Sequence, residues 1–328
     1  MLRADVPALI LAPMEGVTDA PMRAVQGEIG AFTFAVSEFL RINHATPPKS
    51  VFFRHIPELR NDCLTANGLP VVVQILGGDA SIMAESAVFA HSLGAKVIDI
   101  NFGCPAKTVN RHDGGATLLK YPTRIREIVR AVRDALPRDV PVSAKLRLGW
   151  DDIDAIHENA DMAEEGGASW ITIHGRTREA GYSPPIYWSP IGQVRERLSI
   201  PVVANGDIWT IEGFRQCREE TRCEHFMLGR GALANPVLSQ QVAHELGIGS
   251  SFPSDLDESF DWTIPLQRLA DWTTTFPDLE AVHTVHRMKQ WLHMASKYGK
   301  FRHFDVVKRV KDSHELYEVL RAVTLQPQ

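Results

Sequence analysis

Eight short apolar runs, each closed by a polar tip, recur through the first 245 residues or so and restrict the folds open to this chain. The runs are 8–11, 34–36, 71–75, 97–100, 142–146, 170–173, 201–204 and 225–228. They are rich in Val and Ile and show no clear alternation, which is how strands buried on both faces of a parallel sheet read. Helix signals fall between most of them. Ile125, Ile128, Val129 and Val132 follow the 3.6-residue period after Pro122. Asp79 is placed to cap a helix over 81–93 that Gly94 ends, and Trp209-Thr210 opens another. A further segment is expected over 232–246, whereas 41–67, with Pro47-Pro48, reads as an irregular insertion. Eight strand–helix units in about 240 residues predict an α/β fold, a (β/α)8 barrel. A doubly wound open sheet is the competitor, but the glycine-rich dinucleotide fingerprint is missing after the first strand.

The tips carry the chemistry. In order they are Pro13-Met14-Glu15, Ser37-Glu38, Gln74, Asn101 with Cys104, Lys145 with Arg147, His174 with Arg176, Asn205-Gly206-Asp207, and Gly229-Arg230. A barrel of this kind keeps its active groups at the C-terminal face. One polar tip is usually a cap; eight of eight, chemically diverse, are hard to explain as caps. Asn101-Phe102-Gly103-Cys104-Pro105 puts a thiol on a loop, where it can meet substrate as nucleophile or acid. The alternative is the buried small hydrophobe that a free Cys usually becomes. The other cysteines (63, 217, 223) are spaced for neither a disulfide framework nor a metal site, so no metal is expected and the compartment reads as reducing.

The last two tips are glycine-bearing turns, the usual phosphate site of this barrel, and Arg230 adds a cation there. Gln74 can pair with an amide-like ring edge. Lys145 and His174 can bring charge or donors to a ring that gains an electron pair. This donor set suits FMN, and the apolar Pro13-Met14 tip can pack against its flat ring. For Lys145 the competing assignment is a barrel-interior lysine paired to a carboxylate. A phosphosugar enzyme would share the phosphate site but has no obvious need of Pro13-Met14.

Ala12-Pro13-Met14-Glu15-Gly16-Val17-Thr18-Asp19, Asn101-Phe102-Gly103-Cys104-Pro105, Lys145-Leu146-Arg147-Leu148-Gly149-Trp150, His174-Gly175-Arg176-Thr177, Asn205-Gly206-Asp207 and Gly229-Arg230-Gly231 together resemble the tRNA-dihydrouridine synthase family. The resemblance covers essentially the whole chain. Ser37-Glu38-Phe39-Leu40-Arg41, Gly115-Ala116-Thr117-Leu118-Leu119, Asn205-Gly206-Asp207-Ile208-Trp209 and Arg287-Met288-Lys289-Gln290-Trp291-Leu292 look most like its bacterial C-type group, which acts at position 16 of the tRNA D-loop. Phe102, Asp207 and Met294 depart from that group's pattern. The resemblance implies a cytoplasmic NAD(P)H-dependent flavoprotein in which NADPH, or NADH, reduces FMN. Hydride then passes to C6 of a uracil extruded from the tRNA elbow, and Cys104 gives C5 its proton. The cofactor residues implied are Pro13, Met14, Glu15, Gln74, Lys145, His174, Asn205, Gly206, Asp207, Gly229 and Arg230. His174 and Arg176 would bind the ring carbonyls or the flavin. The best RNA contacts implied are Arg41, Asn101, Arg287, Lys289 and Lys308.

The composition changes after Gly247. Residues 249–255 read as a linker, so domains are expected at 1–247, the catalytic barrel, and 248–328, an all-helical tRNA-recognition bundle. Trp272, Val282, Val285, Met288, Trp291 and Leu292 fit a helical stripe, most simply core. Between Arg287 and Lys311 lie eight Lys/Arg and one acid, a local +7, so the rest of the chain sums to −5 − 7 = −12. Such a patch on an acidic protein fits a polyanionic partner, or else a solvated helix face. No apolar run is long enough to span a bilayer, and a monomer is expected. Two rival functions are a small-molecule FMN oxidoreductase of the dihydroorotate or dihydropyrimidine dehydrogenase type and a non-catalytic tRNA-binding module. The first leaves the basic tail unexplained. The second leaves Cys104 and Lys145 unexplained.

Overall fold

In the computed structural model, residues 2–3, 5–110, 113–249, 260–276 and 281–324 are described. Nine parallel strands are β1 (Ala8–Leu11), β2 (Phe34–Val36), β3 (Leu40–Arg41), β4 (Val71–Leu76), β5 (Ile98–Asn101), β6 (Val142–Arg147), β7 (Trp170–His174), β8 (Val202–Asn205) and β9 (His225–Leu228). β1 pairs with β2 and β9, and β2 pairs with β4, which closes the sheet into a barrel. The eight expected strands are therefore present, with ends within one residue or so of the apolar runs. β3 is an addition: two residues that pair beyond β2 with Ile75 and Leu76.

The helices that wrap the barrel are α1 (Ala20–Ile29), α2 (Lys49–His55), α3 (Ala80–Ser92), α4 (Lys107–Asn110), α5 (Pro122–Ala135), α6 (Ala155–Glu165), α7 (Ser189–Arg197), α8 (Ile211–Thr221), α9 (Arg230–Ala234) and α10 (Leu238–Glu245). Side-chain caps start three of them. Asp19 accepts from the Met22 amide, Asp79 from Ile82 and Thr210 from Gly213. The segment expected at 232–246 is two helices, because Pro236 cannot continue the first. The insertion at 41–67 is more regular than its composition suggests: it holds α2 and a 3-10 turn at Pro57–Arg60.

The strands do alternate, in a way hidden by burial on both faces. Val71, Val73, Ile75, Ile98 and Ile100 join Ile125, Ile128, Val129 and Val132 of α5 in the outer core. Ile10, Phe34, Val72, Val97, Trp170, Val203 and Met227 form a separate apolar cluster, the barrel floor. Two residues further along the same strands, the inward set turns polar: Gln74, Asp99, Thr172 and Asn205, then Asn101 and His174. The floor is thus dry and the mouth is wired for hydrogen bonding.

The helical tail contains α11 (Thr263–Thr274), α12 (Ala281–Tyr298), α13 (Phe304–Val307) and α14 (Ser313–Thr324). Trp262, Leu266, Leu269, Met288, Trp291, Leu292 and Leu316 pack together with Met22 and Val25 of α1 and Leu233 of α9. The Trp291 indole donates to the Leu233 carbonyl at 2.9 Å. Trp291 is core, as the stripe's spacing implies, whereas Trp272 is partly buried and donates its indole N–H to Glu28 at 3.0 Å. The residues of the expected linker beyond Gly249 and the side chain of Val282 lie outside the described residues. Among the described residues no helix is long and apolar enough to cross a membrane, and no group of side chains is arranged to hold a metal ion.

Candidate active site

The C-terminal ends of the strands surround a cavity of about 540 Å3. Of the residues singled out at the tips, Pro13, Met14, Glu15, Asn101, Cys104, Lys145, His174, Asn205, Gly206, Asp207, Gly229 and Arg230 line it. Arg147, Tyr182, Trp209, Phe39 and Met294 line it too. Tyr182 lies on an irregular segment, where neither strand tip nor helix period marks a residue, so its contribution was invisible in the sequence. Phe39 follows the Ser37-Glu38 tip within a motif the sequence already marks.

The Cys104 loop is pinned from two sides. Asn101 Oδ1 accepts from the backbone amides of Gly103 and Cys104, both at 2.9 Å. Arg147 Nε donates to the Gly103 carbonyl at 2.8 Å, and its Nη1 holds the carbonyls of Thr177 and Gly181. Asn101 thus spends its oxygen on the loop and its Nδ2 on Gln74 Oε1, 2.9 Å away. Cys104 is 9% exposed. Burial, with Glu15 nearby, pushes its thiol pKa up despite Arg147 and Arg41. Burial thus favours the thiol over the thiolate at this position.

Facing it, Lys145 Nζ donates to Asn205 Oδ1 at 3.0 Å, and Asn205 Nδ2 donates to the Met227 carbonyl at 2.8 Å. Burial and Arg147 lower the Lys145 pKa to about 8, against the opposing pull of Asp99. His174 is lowered well below the usual imidazole range by burial and then by Arg147, Lys145, Arg176 and Arg230, so it stays neutral. Its Nδ1 is buried with no hydrogen-bond partner among the described residues. Gly206 stands at φ +120°, where a side chain would be strained and its Cβ would lie 3.2 Å from His174 Nε2.

A charged corner completes the mouth. Arg230 donates to Asp207 Oδ1 at 3.0 Å and to the Tyr298 hydroxyl at 3.3 Å. Its guanidinium lies over the rings of Tyr182, Trp209 and Tyr298 at 4.6, 4.9 and 5.1 Å. Trp209 and Tyr298 stack at 4.5 Å, joining the barrel mouth to α12. Two guanidiniums, Arg176 and Arg230, face one carboxylate, so the corner carries net positive charge.

Four of the residues singled out have their polar groups engaged within the fold. Gln74 is fully buried one layer below the mouth and gives its amide to Asp99 and Asn101, not to the cavity. Arg176 is 1% exposed and spends its guanidinium on Asp207 and the carbonyls of Ser183 and Pro185. Arg287 pairs with Asp19 and donates to the Val17 carbonyl at 2.9 Å; its side chain is 13% exposed. Lys289 Nζ donates to the carbonyls of Lys308 and Val310 at 3.2 and 2.8 Å. Both are ties within the fold: Arg287 joins tail to barrel, and Lys289 closes the turn after α13. Lys308 pairs with Asp305 on the surface at 2.5 Å and stays half-exposed. Arg41, on β3, is partly buried and close enough to Cys104 to act on its charge.

Fold and site together define a (β/α)8 enzyme whose C-terminal mouth holds one cavity lined by a buried thiol, an imidazole and several cations. The chain belongs to the dihydrouridine synthase (Dus) family, whose signature it matches over residues 10–324. It is 39% identical over 315 residues to the tRNA-dihydrouridine(16) synthase of Ralstonia nicotianae, covering 95% of this chain and 94% of that one. It is 42% identical over 289 residues to the enzyme of the same name from Pseudomonas putida, covering 88% of each. The Haemophilus influenzae enzyme is 41% identical over 312 residues, covering 94% of this chain and 97% of that one. A solved structure of 2-naphthoyl-CoA reductase with 2-naphthoyl-CoA, 13% identical, superposes with a TM-score of 0.55 over 73% of this chain and 50% of that chain. At that identity the likeness shows the fold alone.

Proposed function

We propose that this chain reduces a uridine of tRNA, at position 16 of the D-loop, to 5,6-dihydrouridine, with FMN held in the mouth and NADPH as reductant. The relatives' shared name supports the substrate and position. The observation that carries the chemistry is that the buried Cys104 thiol lines the same cavity as Lys145 and His174 at the barrel mouth.

The mouth fits FMN. The positive corner of Arg230 with Asp207 and Arg176 suits a phosphate. Gly206 and Gly229 both line the cavity, where they pack their backbone against Ile186 and His174 and against Ala12 and Met14. Pro13 and Met14 offer an apolar face, and Lys145 and His174 offer polar atoms to a ring edge. Bound there, FMN would take hydride from NADPH and supply it to C6 of the uracil.

The remaining chemistry belongs to this chain. Cys104 Sγ gives its proton to C5 as hydride reaches C6, and solvent restores the proton afterwards. Asn101 and Arg147 hold the loop that presents the thiol. Lys145 keeps a positive charge over the mouth below pH about 8, offsetting charge that develops on the ring. Tyr182, exposed beside His174, gives an extruded base a ring to stack on.

In this reading the functional division falls at 247/248. Residues 1–247 hold cofactor and chemistry, 248–328 grip the RNA, and the protein works in the cytoplasm as a monomer. Arg41 and Lys308 remain the cationic RNA contacts. Incubating the protein with FMN, NADPH and tRNA lacking dihydrouridine, then mapping the product, tests the position. Dihydrouridine at 16 alone is expected; dihydrouridine at another D-loop position would overturn the assignment.

A further inference from the structure

A line of hydrogen bonds runs from the barrel centre to the Cys104 loop. Asp99 is buried on β5, two residues before Asn101. Ser143 Oγ on β6 donates to Asp99 Oδ1 at 2.6 Å, and Gln74 Nε2 on β4 donates to Asp99 Oδ2 at 2.6 Å. Gln74 Oε1 then accepts from Asn101 Nδ2 at 2.9 Å, which leaves Asn101 Oδ1 to accept from the amides of Gly103 and Cys104.

The line has a direction. An amide side chain presents an acceptor on one side and donors on the other, and nothing in its shape decides which way it faces. Here the acceptor oxygen of Asp99 requires the Gln74 nitrogen. That choice turns the Gln74 oxygen to Asn101, so the Asn101 nitrogen must face Gln74. The Asn101 oxygen is then left for the loop amides. If Gln74 turned over, its Nε2 would face Asn101 Nδ2, donor against donor; if Asn101 turned to relieve that, its Nδ2 would face two N–H donors and the loop would lose both bonds.

We propose that Asp99 is the positioning residue of this active site: it orients the Gln74 and Asn101 amides and so holds the Cys104 loop in the form that presents the thiol. The inference rests on the acid role of Cys104. It assigns work to two residues that reach neither cavity nor solvent, Asp99 and Ser143. It also accounts for Gln74 lying below the mouth. What Asp99 supplies is an acceptor oxygen in a fixed place, not a negative charge. In Asp99→Asn the side-chain amide could keep its oxygen on Gln74 and turn its nitrogen to Ser143, whose hydroxyl can accept as well as donate.

The test compares Asp99→Leu, Asp99→Asn and Ser143→Ala with wild type. The readouts are iodoacetamide labelling of Cys104, followed by mass spectrometry, and steady-state reduction of tRNA. Asp99→Leu is expected to lower kcat by about 100-fold, the scale of a reacting group misplaced by about 1 Å. KM for tRNA should stay within about twofold, since the binding surface is untouched. Cys104 labelling should quicken severalfold as its loop loosens. Asp99→Asn should restore both readouts. Ser143→Ala, which folds more safely, should shift both in the same direction by less. Slow labelling and normal kcat in Asp99→Leu and Ser143→Ala would overturn the proposal. So would an Asp99→Asn as impaired as Asp99→Leu, since charge and not orientation would then be at work. If wild type fails to reduce tRNA, the functional reading falls, while the labelling arm still decides whether Asp99 holds the loop.

Discussion

The barrel mouth and the helical tail both concentrate positive charge, but they use it differently. In the mouth, Lys145, Arg147, Arg176 and Arg230 are buried or nearly so around two carboxylates, Asp99 and Asp207. Burial, and then that surplus, holds the His174 pKa down, and the surplus leaves the corner ready for an anion. In the tail the local +7 is larger on paper, yet much of it is committed. Arg287 is locked to Asp19 and Val17, Lys289 to two carbonyls, and Lys308 leans on Asp305. Sequence charge counts cations. Whether a cation is available depends on what acceptors the fold puts beside it. A strand tip in a barrel has its direction imposed by the pleat, so its side chain can be assigned to the mouth. A helix residue has no such imposed target, and Arg287 was free to turn inward.

The sharpest break of this comparison is Cys104→Ala. If the mouth is where chemistry is done, turnover should fall by about 10²–10⁴-fold, the usual worth of a general acid, with FMN and tRNA binding retained in an absorbance titration and a filter-binding assay. The next effect is in the tail. Arg287→Ala should cost about 3 kcal/mol of stability in a denaturant titration, because it strands Asp19 and opens the tail–barrel contact. It should leave the salt dependence of tRNA binding unchanged. Lys308→Ala should do the reverse: little change in stability, and a slope of log K against log salt smaller by about 1. If Arg287→Ala alone flattened the slope, the division between committed and available cations would be wrong.

The smallest effect concerns His174. Its pKa in the fold lies below the ordinary imidazole value of 6.5. Between those two values the unfolded chain binds a proton that the folded chain refuses, so stability rises with pH and is lost as pH falls below about 6.5. This group adds at most about 1.4 kcal/mol per pH unit in that window. Thermal melts of wild type and His174→Asn between pH 5 and 7 should show a shallower pH dependence in the variant. Parallel curves would mean that His174 is not held neutral by the mouth.

Most of the barrel was legible because buried parallel strands have few ways to be written. Apolar runs such as 71–75 and 170–173 read as strands buried on both faces, and the polar residues at their ends, Gln74 and His174, as facing inward. Cys104, Lys145 and the 205–207 turn followed from that. The inward polar layer was harder. Gln74, Asp99, Asn101, Ser143 and Lys145 occupy alternate strand positions, but apolar residues facing the outer helices separate them and mask the period. Asp99 therefore read as part of an apolar run, and its tie to Gln74 is a pairing across strands that no local pattern carries. β3 was missed because two residues show no period, and α2 because Pro47-Pro48 outweighed the seven residues after it. Arg176 was assigned to substrate on its position after β7. The carbonyls of Ser183 and Pro185 that absorb it come from a loop that sequence spacing cannot place.

The most direct test of the central claim is reoxidation of the reduced protein. The FMN-loaded protein would be reduced with NADPH without oxygen, then mixed with tRNA lacking dihydrouridine while flavin absorbance is followed. The account predicts rapid reoxidation by tRNA, slow reoxidation by free uracil or orotate, and loss of the fast phase in Cys104→Ala. Reoxidation by a free pyrimidine with none by tRNA would contradict it and make the mouth that of a small-molecule reductase.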